Sequence, residues 1–337
     1  MVVTKMTIKD IAKKAEVSTA SVSRVINNAP NVSEELRKKV MSLIDEVGYK
    51  PNSIGKQLRT SKSEKILVVL PTLSNPFYAT IIKGIEEECS ELNYGVLIAV
   101  INLNNELERK YIELLTTKQV DGIISFFSTL APDEINKMAE AFPYVQCCEP
   151  TENTSTSSVS INNKKAAYDA VSYLTSCGHK RIGMISGYYF KTSEREREAG
   201  FKEALEKADI AFSEELIVKS DYDYEGGQKA CKKLFDLENP PTAIFAVSDT
   251  IAIGAMKYLS TINKIVGKDV DIVGFDNATV SKMSSPTVST VSQPRLELGQ
   301  TAVSLLMDKI HNSSSINKSV VLPHKLIFRE STGIKFK

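Results

Sequence analysis

Hydroxyls, one methyl side chain and one guanidinium are spaced near the N-terminus in a way that suits reading a polymer rather than making bonds. Ser18 is placed to cap a short helix whose Val22, Val25 and Ile26 share one side, while Thr19, Ala20, Ser23 and Arg24 share the other. Small polar side chains beside an arginine are what entry into a DNA major groove demands, because bulk would hold the helix off the bases. Bond-making chemistry has no comparable footing. The sequence contains no Ser/His/Asp set, phosphate-binding Walker loop or GxGxxG motif. Its five cysteines, Cys89, Cys147, Cys148, Cys177 and Cys231, form no CxxC, and with only His179, His311 and His324 available no zinc site or other cofactor is expected. The vicinal Cys147 and Cys148 read as plain thiols.

The elements around those residues make a small core. Thr7 opens a two-turn helix with Ile8, Ile11, Ala12 and Ala15 at helical spacing and Asp10 set for a reciprocal cap. A third helix runs from Ser33 to Val47, with Leu36, Val40, Leu43, Ile44 and Val47 inward and Gly48 to stop it. Charge agrees with a polyanionic partner: residues 1–65 hold 13 Lys and Arg against 7 Asp and Glu, although the whole chain is nearly neutral at +1. At 337 residues, two or more cores are expected. The opening MVVTKMTIKD has no apolar signal region and no run reaches membrane-spanning length, so a cytoplasmic protein without membrane association is expected.

The segment TIKDIAKKAEVSTASVSRVINNAPNVSEELRKKVMSLIDEVGYKPN resembles the DNA-binding headpiece of the LacI/GalR family of bacterial transcriptional regulators, including the VSxxxVSRVIN core of the recognition helix. The resemblance implies that Thr19, Ala20 and Arg24 face base edges. It places Ser18, Ser23, Asn27, Asn31, Tyr49 and Asn52 at or behind phosphate contacts, with Thr7 in the same DNA-binding set. Glu16 departs from the family, where glycine is frequent in the interhelical turn; if φ is positive there, the side chain costs about 1 kcal/mol. After Pro51, NSIGKQLRTSKS is too short to hold a helix alone. In the family a hinge helix folds here on DNA and wedges a leucine into the minor groove; Leu58 matches it, with Arg59 beside it and Lys56 nearby. Gly55 and Lys56 stand where alanine and arginine are frequent.

From Lys65 onward, buried-strand runs alternate with amphipathic helices (KILVVLP, GVLIAVI and GIISFF, then RIGMIS, LIVKS, AIFAVS and DIVGFD), which predicts two parallel α/β lobes. This part resembles the family's ligand domain, itself similar to periplasmic sugar-binding proteins. The expected architecture is an all-α helix-turn-helix headpiece (1–50), a hinge (51–64) and a bilobed α/β domain. Lobe one is expected over 65–161 and 293–318 and lobe two over 162–292 and 319–337, with crossings near Ile161-Asn162, Gln293-Pro294 and residue 319. The resemblance implies an effector held by Phe77 and Tyr78, by Arg197 with Lys191 and Ser193 on the same loop, by Asp276, by a stacking Phe245 and by Glu149. Ser248, at a strand end, joins the list, although Ser248 and Asp249 equally suit capping the next helix.

Such a regulator reads a pseudo-palindromic operator in double-stranded DNA as a homodimer and answers to a small-molecule effector, a sugar, sugar derivative or nucleoside. No leucine heptad follows Arg329, so a dimer rather than a tetramer is expected. Two alternatives use the same fold. One is a catabolite-control regulator that takes a phosphorylated carrier protein as co-effector, which the tail VVLPHKLIFREST resembles. The other is a solute-binding receptor, which would need a signal peptide and no headpiece. LLTTKQVDGII and AAYDAVSYL look closer to the cytidine-repressor branch, so the effector stays open.

Overall fold

The computed structural model describes residues 6–26, 28–49, 62–187, 192–312 and 314–333. The chain divides into two compact units, Met1–Lys62 and Ser63–Lys337.

The first unit is three helices, α1 (Ile8–Ala15), α2 (Thr19–Ile26) and α3 (Glu34–Val47). Ile11, Ala12 and Ala15 of α1 meet Val22 and Val25 of α2 and Val40 of α3 in a closed core, with Leu36, Leu43, Ile44 and Tyr49 packed around it. The caps explain the element ends. Ser18 Oγ accepts from the Ser21 amide at 3.1 Å, and Ser33 Oγ accepts from that of Leu36. At α1 only half of the expected reciprocal cap forms. The Thr7 amide donates to Asp10 at 2.9 Å, but the Thr7 hydroxyl also donates to Asp10 instead of accepting from the helix. Those bonds to Thr7 hold the Asp10 carboxyl below its usual range. Arg37 reaches back from α3 to the Ala29 carbonyl and the Asn28 side chain, fixing the chain that leaves α2.

Gly48 ends α3 at φ 61°, where a glycine carries no steric cost. Glu16 occupies the same left-handed region at φ 58° at the end of α1. Glu16→Gly is therefore expected to stabilise the first unit by about 0.5–1 kcal/mol, read as slower hydrogen exchange of the α1 and α2 amides in the full chain. Unchanged exchange would mean that the turn carries no strain.

The second unit holds two six-stranded sheets. In the first, the order is β11 (Ser319–Leu322), β5 (Ser157–Ile161), β4 (Tyr144–Cys147), β3 (Gly122–Ser125), β1 (Lys65–Leu70), β2 (Gly95–Val100), and every pairing is parallel. In the second, it is β12 (Lys325–Ile327), β10 (Ser289–Ser292), β9 (Asp271–Asp276), β8 (Ala243–Ala246), β6 (Ile182–Ser186), β7 (Ile217–Lys219), with only the β12 edge antiparallel. Helices cover both faces, which is why strands such as KILVVL, after its exposed first residue, and AIFA are apolar rather than alternating. The helices that matter below are α4 (Phe77–Glu91), α7 (Asn163–Ser176), α8 (Thr192–Lys207), α10 (Asp249–Thr261) and α12 (Arg295–His311).

Two expected boundaries move. The third crossing between lobes falls at Pro323-His324 rather than near residue 319, because β11 pairs with β5 in register Ser319↔Ser158 and so completes the first sheet. The hinge also loses its last two residues. Asp121 accepts from the amides of Ser63 and Glu64 at 2.7 and 2.9 Å, which fastens them to the start of β1.

Candidate functional site

Two surfaces gather the residues singled out by type and spacing. On α2, Thr19, Ala20 and Arg24 are exposed, Ser23 is half-buried, and Val22 and Val25 face the core. A polar, sterically slim strip thus lies along one side of a helix whose other side is fixed by packing. Thr7, Ser18 and Asn31 are also exposed, whereas Tyr49 is half-buried against the three-helix core and serves it. Asn27, Asn52, Lys56, Leu58 and Arg59 lie outside the described residues, as does Lys191 of the effector set.

The second surface is a crevice between the two sheets of the larger unit, lined from the carboxyl ends of their strands, where open parallel sheets place ligands. From the first lobe, Asn75, Phe77 and Tyr78 follow β1, Phe126 and Phe127 follow β3, and Cys148 and Glu149 follow β4. From the second come Ser193 and Arg197 on α8, Tyr222 after β7 and Asp276 at the end of β9, with Gln293 at the crossing. The cavity is about 40 Å³. That is room for about three or four waters at roughly 10–15 Å³ each. A sugar-sized guest needs a roomier crevice than this.

The aromatic side is built by edge contacts. Phe77 meets Tyr78 with ring centroids 5.4 Å apart, and Tyr78 meets Phe126 at 5.5 Å, nearly perpendicular. Asn75 turns its side chain back to accept from the Phe77 amide, starting α4. Burial first, then Glu149 and Asp276 among the neighbouring charges, pushes the Tyr78 phenol well up, so it is a neutral hydroxyl.

Arg197 is the centre of the polar side. It is 6% exposed, and its guanidinium lies 3.7 Å from the centre of the Phe275 ring. Nε donates to Asn163 at 3.0 Å and Nη1 to the Val247 carbonyl at 2.8 Å. Asn163 reaches it because α7 and α8 touch. A Cβ on Gly200 would stand 2.1 Å from the Lys164 carbonyl oxygen, so only glycine permits that approach. Burial would pull the guanidinium down, but Tyr222, Asp276, Glu194 and Glu149 together hold it above its ordinary value.

Each carboxylate is held by named donors. Glu149 crosses from the first lobe to accept from the Ser193 amide at 2.8 Å and from its hydroxyl, at the first turn of α8, where an anion is favoured. Asp276 accepts from Gln293 at 2.8 Å. Glu194 is buried beneath Tyr222, whose hydroxyl donates to it, and also accepts from the Gly187 amide at 2.9 Å. Behind Asp276, the buried Asp249 accepts from the Ala278 amide at 2.6 Å and so anchors the turn that follows. Burial first, then the charge of Asp276, raises the Asp249 carboxyl well above the ordinary range.

Two residues of the expected effector set are placed elsewhere. Phe245 is fully buried in the core of the second lobe, edge-on to Phe275, and Phe275 rather than Phe245 supplies the ring against Arg197. Ser248 is also buried and spends its oxygen capping α10 by accepting from Ile251 at 3.2 Å. Conversely, Phe126, Phe127, Cys148, Tyr222 and Gln293 line the crevice without having been singled out. The strand-end rule points to each, since GIIS and the strand before Cys148 stop just short of them, and Gln293 sits on a crossing already located. Cys147 and Cys148 have sulfurs 3.6 Å apart, and all five cysteines are free thiols.

Among the described residues no helix is long and apolar enough to cross a membrane, and no group of metal-ligating side chains gathers. Comparison with known proteins finds two family models. Residues 7–52 match the model of bacterial regulatory proteins, lacI family, and residues 63–330 that of periplasmic binding proteins and sugar binding domain of LacI family. The HTH-type transcriptional repressor CytR of Escherichia coli is 37% identical over 98% of this chain and 97% of its own. Catabolite control protein A of Priestia megaterium is 34% identical over 97% and 99%. A crystal structure of the lac repressor dimer bound to operator and the anti-inducer ONPF superposes with a TM-score of 0.88 at 26% identity, over 97% of this chain and 99% of that one.

Proposed function

This chain belongs to the LacI family of bacterial regulatory proteins, and from that premise we propose that it is a cytoplasmic repressor that holds a pseudo-palindromic operator as a homodimer and releases or tightens that hold when a small molecule closes the crevice around Arg197. The observation that carries the DNA half is the exposed strip of Thr19, Ala20 and Arg24 on a helix locked by its buried Val22 and Val25. Arg24 supplies the bidentate donor that reads a guanine, Thr19 a hydroxyl, and Ala20 a methyl-sized surface for a thymine methyl. Ser18, Ser23 and Asn31 stand where phosphate contacts would set the register.

The effector half is supported by convergence. One buried guanidinium, two carboxylates and a wall of aromatic rings face each other across a gap between two lobes. Hydroxyls donate to carboxylates and accept from a guanidinium, while the rings cover the apolar face of a sugar or base. No reaction is assigned to the crevice.

Arg24→Ala tests the DNA half. In competition gel shifts against a selected operator, it is expected to lose specific affinity by about 1–3 kcal/mol and to relax preference at one base position in each half-site, with nonspecific binding little changed. Equal losses on operator and random DNA would assign Arg24 to a phosphate and overturn its role as a base reader.

A further inference from the structure

Cys147 and Cys148 are adjacent in the chain, and their sulfurs lie only 3.6 Å apart. In an extended strand successive side chains point to opposite faces, so such neighbours should diverge. Cys147 ends β4, and Cys148 breaks the alternation at φ 71°, in the left-handed region that costs a non-glycine residue about 1 kcal/mol. Its amide stays in the sheet by donating to the Val159 carbonyl at 2.8 Å. The turn thus folds one thiol back beside the other at the wall of the crevice. We propose that this pair is a chelating site for trivalent arsenic, taken up as neutral arsenous acid, and that it acts independently of what else the crevice holds.

The separation selects the ligand. Two bonds of about 2.3 Å, the length of a zinc–thiolate bond, span 3.6 Å when they meet at about 100°, as at a pyramidal three-coordinate atom. One bridging atom therefore fits with little movement. A disulfide would have to draw the sulfurs to about 2.05 Å, across Cα atoms about 3.8 Å apart where about 4.4–6.8 Å is usual. A divalent metal wants three or four side-chain ligands, and among the described residues no third His, Cys, Asp or Glu joins the pair.

Charge points the same way. Oxidation and alkylation run through a thiolate. Burial first, then the bond to Cys147 and its charge, then Glu149 and Asp276 hold the Cys148 thiol well above its ordinary range. Arsenous acid leaves no anion behind: each As–S bond forms as an As–O bond breaks, and the thiol proton departs with the hydroxide as water. Two thiols and As(OH)₃ give a dithiolate that keeps one hydroxyl, with two waters released, arsenic still trivalent and the net charge unchanged. Cys148 lines the crevice whereas Cys147 is fully buried, so Cys148 makes the first bond and Cys147 closes the chelate. Closure within one molecule is what sets the pair above the single thiols Cys89, Cys177 and Cys231. The cavity of about 40 Å³ suits a compact inorganic acid better than an organic arsenical.

The test is equilibrium dialysis of the reduced, full-length protein against micromolar arsenite at neutral pH. One arsenic per chain is expected, and X-ray absorption at the arsenic edge should show two sulfur neighbours and one oxygen. Cys148→Ser and Cys147→Ala should each lower retention by about a hundredfold or more, while Cys177→Ser leaves it unchanged. Cys147 belongs to the core of the first lobe, so its variant is read beside Cys148→Ser, where the altered side chain lines the crevice and the core is spared. Failure of the wild-type protein to retain arsenic, a single sulfur neighbour, or wild-type retention in Cys148→Ser overturns the proposal. A shell of three sulfurs would overturn it too, by placing the arsenic between chains.

Discussion

Ile98→Glu is expected to convert the proposed dimer to a monomer and to weaken operator binding by about a hundredfold or more, while leaving each subunit folded. The argument starts from an edge. β2 pairs only with β1, and its backbone outer side has no neighbour among the described strands. Edge strands are usually short, charged or covered. This one reads GVLIAV, with Leu97 40% and Ile98 48% exposed, and Leu92 and Leu103 at either end are exposed as well. Apolar side chains exposed on adjacent positions of an edge strand mark a surface that associates. A twofold contact presents the same patch from both copies, so one carboxylate enters the interface twice. Because Ile98 is half exposed within a single chain, the substitution spares the core on which the first sheet depends. The DNA effect follows from tethering: two headpieces held together gain about 10²–10⁴ over one, and separation forfeits it. Sedimentation at micromolar protein and gel shifts on full and half operators are the measurements. A variant that still sediments as a dimer would move the interface elsewhere.

How far the sequence carries this picture depends on whether a feature is local. The headpiece is set by short-range chemistry: Ser18 and Ser33 cap, Gly48 stops α3, and Val22, Val25 and Val40 keep helical spacing. The sheets are legible for the related reason that strands covered on both faces read as unbroken apolar runs. What was misplaced depends on partners far away in sequence. β11 is a four-residue edge strand with alternating exposure, and nothing within SVVL says whether it joins β5 or β10; Pro323, which has no amide to donate, marks the true crossing. Phe245 and Phe275 lie on neighbouring strands of one sheet, and which ring reaches Arg197 is settled by a guanidinium arriving from α8. Tyr222 stands three residues past the end of β7, and what carries it to the crevice is its hydroxyl bond to Glu194 of α8, a contact that nothing within LIVKS announces.

Arg197→Ala is expected to abolish the effector response, with affinity down by about a hundredfold or more, and to destabilise the larger unit by about 3 kcal/mol. The two effects have one cause. Removing the side chain leaves Asn163 and the Val247 carbonyl without their donor and exposes the ring of Phe275 to a void. It also leaves Glu194, Asp276 and Glu149 facing each other without the cation that offsets them. Breaking a buried charge arrangement from one side costs more than the arrangement contributes, because the partners stay buried. Arg197→Lys separates the contributions. It keeps the charge but loses the planar fork, so stability should largely return while effector binding stays impaired. Because the first unit has its own core, operator binding by Arg197→Ala should persist and become indifferent to effector. Calorimetry of the larger unit's transition and operator titrations with and without effector supply the readouts. Full effector sensitivity in Arg197→Ala would detach the crevice from control of DNA binding.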